Sequence, residues 1–106
     1  MIEESENKMS VNQLKVVVSV LKEVSEGNIP TSKDYGIEDR MFYDIIDAMQ
    51  DEGLIKGARF SRGGVGNPIL IAMLDSVKIT IKGMEYLNQN STLVKTYKGL
   101  KVASGS

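Results

Sequence analysis

The middle of this chain combines an amphipathic segment, a glycine and two apolar stretches. Apolar residues recur at helical spacing from Met41 to Glu52, and Gly53 follows directly. Residues Leu54 to Phe60 have the composition of a strand, and Ile69 to Leu74 is almost continuously apolar. The segment from Gly63 to Asn67, which lies between them, is rich in glycine. We therefore predict a helix, a β-hairpin with a flexible tip, and burial of the returning strand against the helices.

Two helical segments are predicted before this helix. The first extends from Val11 to Ser25, and Gly27 with Asn28 supplies its C-terminal stop. Its apolar stripe repeats at i, i+3, i+4 and i+7 and comprises Leu14, Val17, Val18 and Leu21. The second is a short helix through Tyr35, for which Ser32 is the expected N-cap. In the third helix, the spacing predicts that one face is buried, comprising Phe42, Ile45, Ile46 and Met49.

Helical patterns return after the hairpin. Thr80 is expected to cap a helix from Ile81 to Asn90, with Ile81, Met84 and Leu87 facing inward. Ser91 or Thr92 can start a last helix, whose apolar side comprises Leu93, Val94, Tyr97 and Leu100. Together these elements predict an α+β fold, the winged helix-turn-helix: three N-terminal helices, a β-hairpin wing and C-terminal helices.

The domain organisation follows from length and local composition. A chain of 106 residues is long enough for one small core. Residues 1–10 are polar and acidic without periodicity, and we expect a flexible acidic arm. The winged-helix domain is predicted over residues 11–101, and residues 102–106 form a small, polar, flexible tail.

The absence of cysteine and histidine restricts the chemistry of this chain. Cys 0 removes disulfides and thiolate chemistry, and His 0 removes histidine bases and histidine metal ligands. We therefore predict no catalytic residues, no metal site and no cofactor. No apolar window approaches the ~18 residues of a membrane span, and the acidic N-terminus does not resemble a signal peptide. The expected location is the cytoplasm, without membrane contact.

Charge is distributed unevenly, although the formal net charge is only -1. Between Gly53 and Leu74 the only charged residues are Lys56, Arg59 and Arg62, which lie on or beside the hairpin. Lysines also dominate the C-terminal segment. The candidate nucleic-acid-binding residues are therefore Lys56, Arg59, Arg62, Lys95, Lys98 and Lys101. Two alternatives stay open: the hairpin arginines protect an edge strand, and the C-terminal lysines are the solvated face of a packed helix.

The outward face of the third helix is acidic, unlike a typical DNA-reading helix. Asp44, Asp47 and Asp51 form a line at i, i+3 and i+7, and Arg40 is the single cation, spaced to pair with Asp44. Carboxylates near phosphates are repelled, so base reading is disfavoured. Three alternatives stay open for this helix: a solvated face, a protein-docking surface formed by Arg40, Tyr43, Asp44, Asp47 and Asp51, and, least favoured, base reading.

Several short motifs, in order, resemble the YjcQ-like family of small winged-helix proteins from phages and prophages of Gram-positive bacteria. The matching positions are Val20-Leu21-Lys22-Glu23-Val24, Glu26-Gly27-Asn28, Pro30, Phe42, Asp44-Ile45-Ile46, Glu52-Gly53-Leu54-Ile55, Gly57, Ile79 to Leu87, and Lys95-Thr96-Tyr97-Lys98. The resemblance implies a winged-helix fold and a phage or prophage setting. It implies no particular activity and no catalytic residues.

From the sequence we expect a non-enzymatic winged-helix binding module. The leading hypothesis is nucleic-acid binding or regulation, with duplex DNA contacted through the wing and the C-terminal lysines. The alternative is a protein-interaction module that docks through the acidic third helix. A homodimer stays open as well, because terminal helices often pair in such folds, although the chain shows no sustained heptad pattern.

Overall fold

The computed structural model describes residues 11–90. Its elements, in chain order, are α1 (Val11–Ser25), a short 3-10 helix (Ser32–Asp34), α2 (Asp39–Asp51), β1 (Ile55–Lys56), β2 (Arg59–Arg62), β3 (Ile69–Met73), β4 (Lys78–Ile79) and α3 (Ile81–Gln89). The predicted arm, the last predicted helix and the predicted tail lie outside the described residues.

The core is built mainly by α1 and α2. The periodic stripe of α1 is buried at Val17, Val18 and Leu21, while Leu14 is half-buried. All four residues predicted to form the inner face of α2 are buried, namely Phe42, Ile45, Ile46 and Met49. The helix α1 ends where predicted, because Asn28 N–H donates to the Glu23 carbonyl. Helical periodicity alone therefore predicted this part of the core.

The link between α1 and α2 differs in detail from the prediction. Ser32 is not the N-cap; Thr31 holds that position, and its backbone N–H donates to the Asp34 carboxylate over 2.9 Å. The buried Ser32 hydroxyl instead donates to Asp39, the first residue of α2. Because Ser32 and Asp39 are joined in this way, the 3-10 helix is held against the start of α2.

A single strand was expected from Leu54 to Phe60, but the structure has two. β1 pairs antiparallel with β4, which the sequence did not predict, and β2 pairs antiparallel with β3. Gly57 separates them with a φ of +91°, and a Cβ there would collide with the Ser76 carbonyl oxygen. The chain can therefore change strand partners at this glycine.

The β2–β3 hairpin, which we call the wing, is less buried than expected. Ile69 is buried, but Leu70 and Ile71 are each 56% exposed, and Met73 is exposed as well. The prediction that this strand is buried against the helices is therefore wrong for most of its length. The physical reason is that a sheet of only two strands has too few neighbours to cover both of its faces.

The helix α3 is capped as predicted but turns a different face inward. Thr80 is the N-cap, and its hydroxyl accepts from Gly83 N–H at 2.9 Å and donates to the Gly53 carbonyl at 2.6 Å. Ile81 is 74% exposed and Met84 50% exposed, so these residues do not face inward, whereas Leu87 packs against the core as predicted. Gly83 faces inward instead, and a Cβ there would collide with the Leu54 carbonyl oxygen. This close backbone approach determines how α3 is rotated.

These elements confirm the predicted α+β class. Helices combined with small antiparallel sheets are compatible with a winged helix-turn-helix arrangement, in which α2 corresponds to the predicted third helix. None of the helices within residues 11–90 has both the length and the apolar character needed to cross a bilayer.

Candidate nucleic-acid interface

Lys56 lies beside another lysine at the base of the wing. In the β1–β4 ladder Lys56 is the direct partner of Lys78, and both side chains are exposed. Directly opposed residues on an antiparallel pair have Cβ atoms roughly 4.5–5.5 Å apart and project to the same face. Neither lysine forms an ion pair with any residue in the described part of the chain. The pair is therefore a concentrated, uncompensated positive charge.

Arg59 and Arg62 lie on opposite faces of the wing. The guanidinium of Arg62 lies over the ring of Phe60, 6.0 Å from its centroid. Arg59 precedes Phe60 in the same strand, so its side chain leaves the opposite face. Arg62 follows Phe60 by two residues and therefore lies on the same face as Phe60, in agreement with the contact of its guanidinium with that ring. The two arginines therefore do not form one patch.

Arg62 also contacts α2 and the wing tip. One terminal nitrogen donates to Asp47 Oδ2 at 3.1 Å, and the other donates to the Asn67 carbonyl at 3.4 Å. The side chains of Arg62 and Asp47 are 39% and 29% exposed. Of the three aspartates predicted to form an acidic line, Asp47 is thus engaged by a cation of the wing itself.

The other acidic residues of α2 remain open to solvent. Asp44 and Asp51 are exposed, and the spacing of Arg40 with Asp44 does not produce an ion pair within residues 11–90. Gln50, which the helical pattern placed among the outward residues, serves the fold. Its amide donates to the Ala58 carbonyl and accepts from Ala58 N–H, at 3.0 and 2.8 Å. This two-way contact attaches the base of the wing to α2.

Tyr43 lies at the centre of a depression between α2 and β3, which we call the wing furrow. Two cavities of about 390 and 190 Å³ adjoin there, and both are lined by Tyr43 and Asp39. The larger also contacts Phe42, Ala72 and Leu74, and the smaller contacts Arg40, Ile69 and Leu70. The furrow therefore has an apolar floor with charged residues at its margin.

Lys78 belongs to the candidate nucleic-acid interface but was not predicted from the sequence. The alternation of Val77, Lys78, Ile79 and Thr80 after the Asp75-Ser76 turn is a short strand pattern that signals β4. Pairing that strand with β1 places Lys78 opposite Lys56. Lys95, Lys98 and Lys101, the remaining predicted binding residues, lie outside the described residues.

Comparison with known proteins assigns the chain to a family. The model of the YjcQ protein family matches residues 11–105. A relative from Bacillus subtilis (strain 168), named "Uncharacterized protein YjcQ", is 35% identical over 92 residues, which cover 86% of this chain and 93% of the relative. No solved structure matches the chain significantly. The matched length and the identity agree with the resemblance seen in the sequence motifs, and the chain belongs to the YjcQ family.

Proposed function

We propose that this protein is a non-enzymatic module that binds nucleic acid through the base of its wing and the face of the wing that carries Arg59. Lys56, Lys78 and Arg59 supply the contacts in this proposal, and the predicted C-terminal lysines Lys95, Lys98 and Lys101 extend them. A regulatory role in a phage or prophage setting, which the motif resemblance implies, forms part of the proposal.

The observation that carries the proposal is the opposed pair of Lys56 and Lys78. Like charges placed directly opposite each other on a ladder destabilise the sheet. No ion pair among the described residues offsets this repulsion. A bound anion would relieve the repulsion, and phosphates spaced along a nucleic-acid backbone supply such anions.

The wing tip is suited to close approach of a phosphate backbone. It contains Gly64 and Gly66, both with positive φ, and carries no acidic side chain between Gly63 and Asn67. Backbone N–H groups that have no neighbouring side chain can approach phosphate oxygens closely. The exposed aspartates of α2, Asp44 and Asp51, disfavour insertion of that helix between phosphate strands. The proposal is therefore backbone contact by the wing, without base reading by α2.

A salt titration tests this proposal. Binding of a labelled short DNA duplex is measured by fluorescence anisotropy over a range of salt concentrations, for the wild type and for Lys56→Gln with Lys78→Gln. Each phosphate contact contributes about 0.9 to the slope of log K against log salt. The double variant should lose about two such contacts and bind more weakly at every salt concentration.

The matched control removes two lysines elsewhere. Lys15→Gln with Lys22→Gln makes the same change in net charge on α1. If both double variants lose the same affinity and slope, the effect is one of net charge alone and the proposed site is wrong. Absence of salt-dependent binding by the wild type would reject nucleic-acid binding altogether.

A second candidate function is protein docking at the wing furrow. The specific observation in its favour is the exposure of Leu70 at the edge of a depression that contains Tyr43. Apolar and aromatic side chains around a concave centre, with charges at the rim, are typical of protein interfaces. In this alternative the acidic residues of α2, namely Asp44, Asp47 and Asp51, would orient a basic partner beside Arg40 and Tyr43.

Three variants separate docking from nucleic-acid binding. If a partner is captured by the wild-type protein, Tyr43→Ala should abolish its capture. Asn at Asp44, Asp47 and Asp51 should weaken capture and make it less sensitive to salt. Lys56→Gln with Lys78→Gln should leave capture unchanged. Loss of capture in the lysine variant and retention in Tyr43→Ala would contradict docking at the furrow.

A further inference from the structure

We propose that Asp47 competes with nucleic-acid phosphate for Arg62 and thereby sets the affinity of the wing. This inference rests on the proposed nucleic-acid binding and adds a named determinant to it. In the free protein the Asp47 carboxylate occupies the position on the Arg62 guanidinium that a phosphate oxygen would take in the complex.

The contacts of Arg62 carry the inference. The guanidinium has five N–H donors, and the described contacts use one on Asp47 and one on the Asn67 carbonyl. A carboxylate and a phosphate present oxygen atoms of the same kind to a guanidinium, and both accept charge-assisted hydrogen bonds from it. A single nitrogen of Arg62 contacts Asp47. The bidentate geometry, in which two N–H groups of the guanidinium donate to two oxygen atoms of a phosphate, is therefore not used by this contact.

The exposure of the pair allows exchange. Both side chains are partly open to solvent, at 39% for Arg62 and 29% for Asp47. Ion pairs at this level of exposure are weak, because water and salt screen them. The phosphates of a duplex are close together along each strand and are presented as a row. A duplex lying along the wing can therefore displace the carboxylate, at a cost in affinity.

The Phe60 ring keeps Arg62 available after the exchange. The guanidinium lies 6.0 Å from the ring centroid, within the range of a cation–π contact. This contact does not involve Asp47, so it persists when the carboxylate is displaced. Arg62 is thereby presented on the side of the wing that faces α2, whereas Lys56 and Lys78 lie at its base.

The structure also predicts where the ligand lies. A phosphate bound to Arg62 would come close to the displaced Asp47, and the two anions would repel each other. The ligand backbone is therefore expected to reach Arg62 from the wing tip, where its guanidinium contacts the Asn67 carbonyl, and not from the α2 side.

A double-mutant cycle tests the inference. Duplex affinity is measured by anisotropy for the wild type, Asp47→Asn, Arg62→Gln and the double variant. Asp47→Asn should bind about fivefold more tightly with little change in the salt slope, because the same phosphate contact forms in both proteins but no carboxylate has to be displaced in the variant. When Arg62 is already replaced by Gln, Asp47→Asn should raise the duplex affinity only by the amount that the change in net charge produces.

Asp44→Asn is the matched control, because it makes the same charge change one turn earlier on α2 and Asp44 has no described ion pair. If Asp44→Asn and Asp47→Asn raise affinity equally, or if the gain survives Arg62→Gln, the inference is overturned while nucleic-acid binding stands. Binding by Asp47→Asn alone supports it. If neither the wild type nor Asp47→Asn binds at low salt, both the inference and the proposed function fail.

Discussion

The helical half of this molecule and its wing use apolar residues in opposite ways. In α1 and α2 they recur at helical spacing, and the side chains of Leu21, Phe42 and Ile46 are almost completely buried. In β3 the residues are equally apolar, yet Leu70 and Ile71 are more than half exposed. Burial, rather than composition, therefore separates the part that stabilises the fold from the part that is available for contact.

The wing and the outward face of α2 also differ in charge. The described cations without a described partner include Lys56, Lys78 and Arg59, which lie in or beside the wing. The exposed acids Asp44 and Asp51 lie on α2. Only Arg62 and Asp47 connect the two regions by an ion pair, among the residues that the structure describes. Among the described residues, few polar contacts therefore connect the wing to the helical half, and each of these contacts can be tested by substitution.

The largest expected effect comes from replacing the same residue type in each region. Ile46→Ala should lower the free energy of unfolding by about 2–5 kcal/mol, because it leaves a cavity in the core. Ile71→Ala, at an exposed position of β3, should cost less than about 1 kcal/mol. Urea denaturation followed by circular dichroism measures both. Equal losses would show that the wing is as much a part of the core as α2.

Gly83→Ala should be the next most damaging change. Alanine normally improves a helix relative to glycine by about 1 kcal/mol, but here the added methyl group meets the Leu54 carbonyl oxygen and the Ile79 side chain. We expect a net loss of about 2–3 kcal/mol in the free energy of unfolding, as in an overpacked core. Glu85→Ala, on the exposed side of α3, is the control. A stabilising effect of Gly83→Ala would mean that α3 is not held this closely.

Gln50→Ala tests the attachment of the wing to α2. It removes two hydrogen bonds and leaves the buried backbone groups of Ala58 without their side-chain partner. The expected cost is about 2 kcal/mol, with faster hydrogen exchange at Ala58 N–H than at core amides of α2. If exchange rises equally in both regions, the contact supports the whole fold and not the wing in particular.

Asp47→Asn should have the smallest effect on stability. The ion pair with Arg62 is partly exposed, so its loss should change the free energy of unfolding by less than about 1 kcal/mol. Chemical denaturation at low and high salt provides the measurement, with Asp44→Asn as the reference. If Asp47→Asn lowers the free energy of unfolding by much more than this, and neither added salt nor Arg62→Gln restores it, Asp47 is a structural residue.

The sequence predicted the helical half well, because burial there follows one simple period. The bounds of α1 and the inner face of α2 were read directly from the spacing of apolar residues. In α3 the cap Thr80 was correctly predicted, but of the three residues expected to face inward only Leu87 packs against the core. The spacing of apolar residues identifies a buried face by its large side chains. Gly83 makes the closest contact of α3 because it has no side chain.

The wing and the candidate site were less predictable, because they depend on pairing between distant segments. A strand pattern from Leu54 to Phe60 does not reveal that the partner changes at Gly57. The sequence predicted Lys56 as a candidate binding residue but not Lys78. The two lysines are brought opposite each other only by the register of the ladder between β1 and β4. Similarly, charge alone does not show that Arg62 reaches Asp47, fifteen positions earlier in the chain.

The change of strand partner at Gly57 has a consequence for local unfolding. Because the ladder that supports α3 and the ladder of the wing share no hydrogen-bonded strand pair, loss of the pairing between β2 and β3 breaks no hydrogen bond of the other ladder. The pairing of Ile55 with Ile79 beside α3 is therefore expected to outlast the unzipping of the wing.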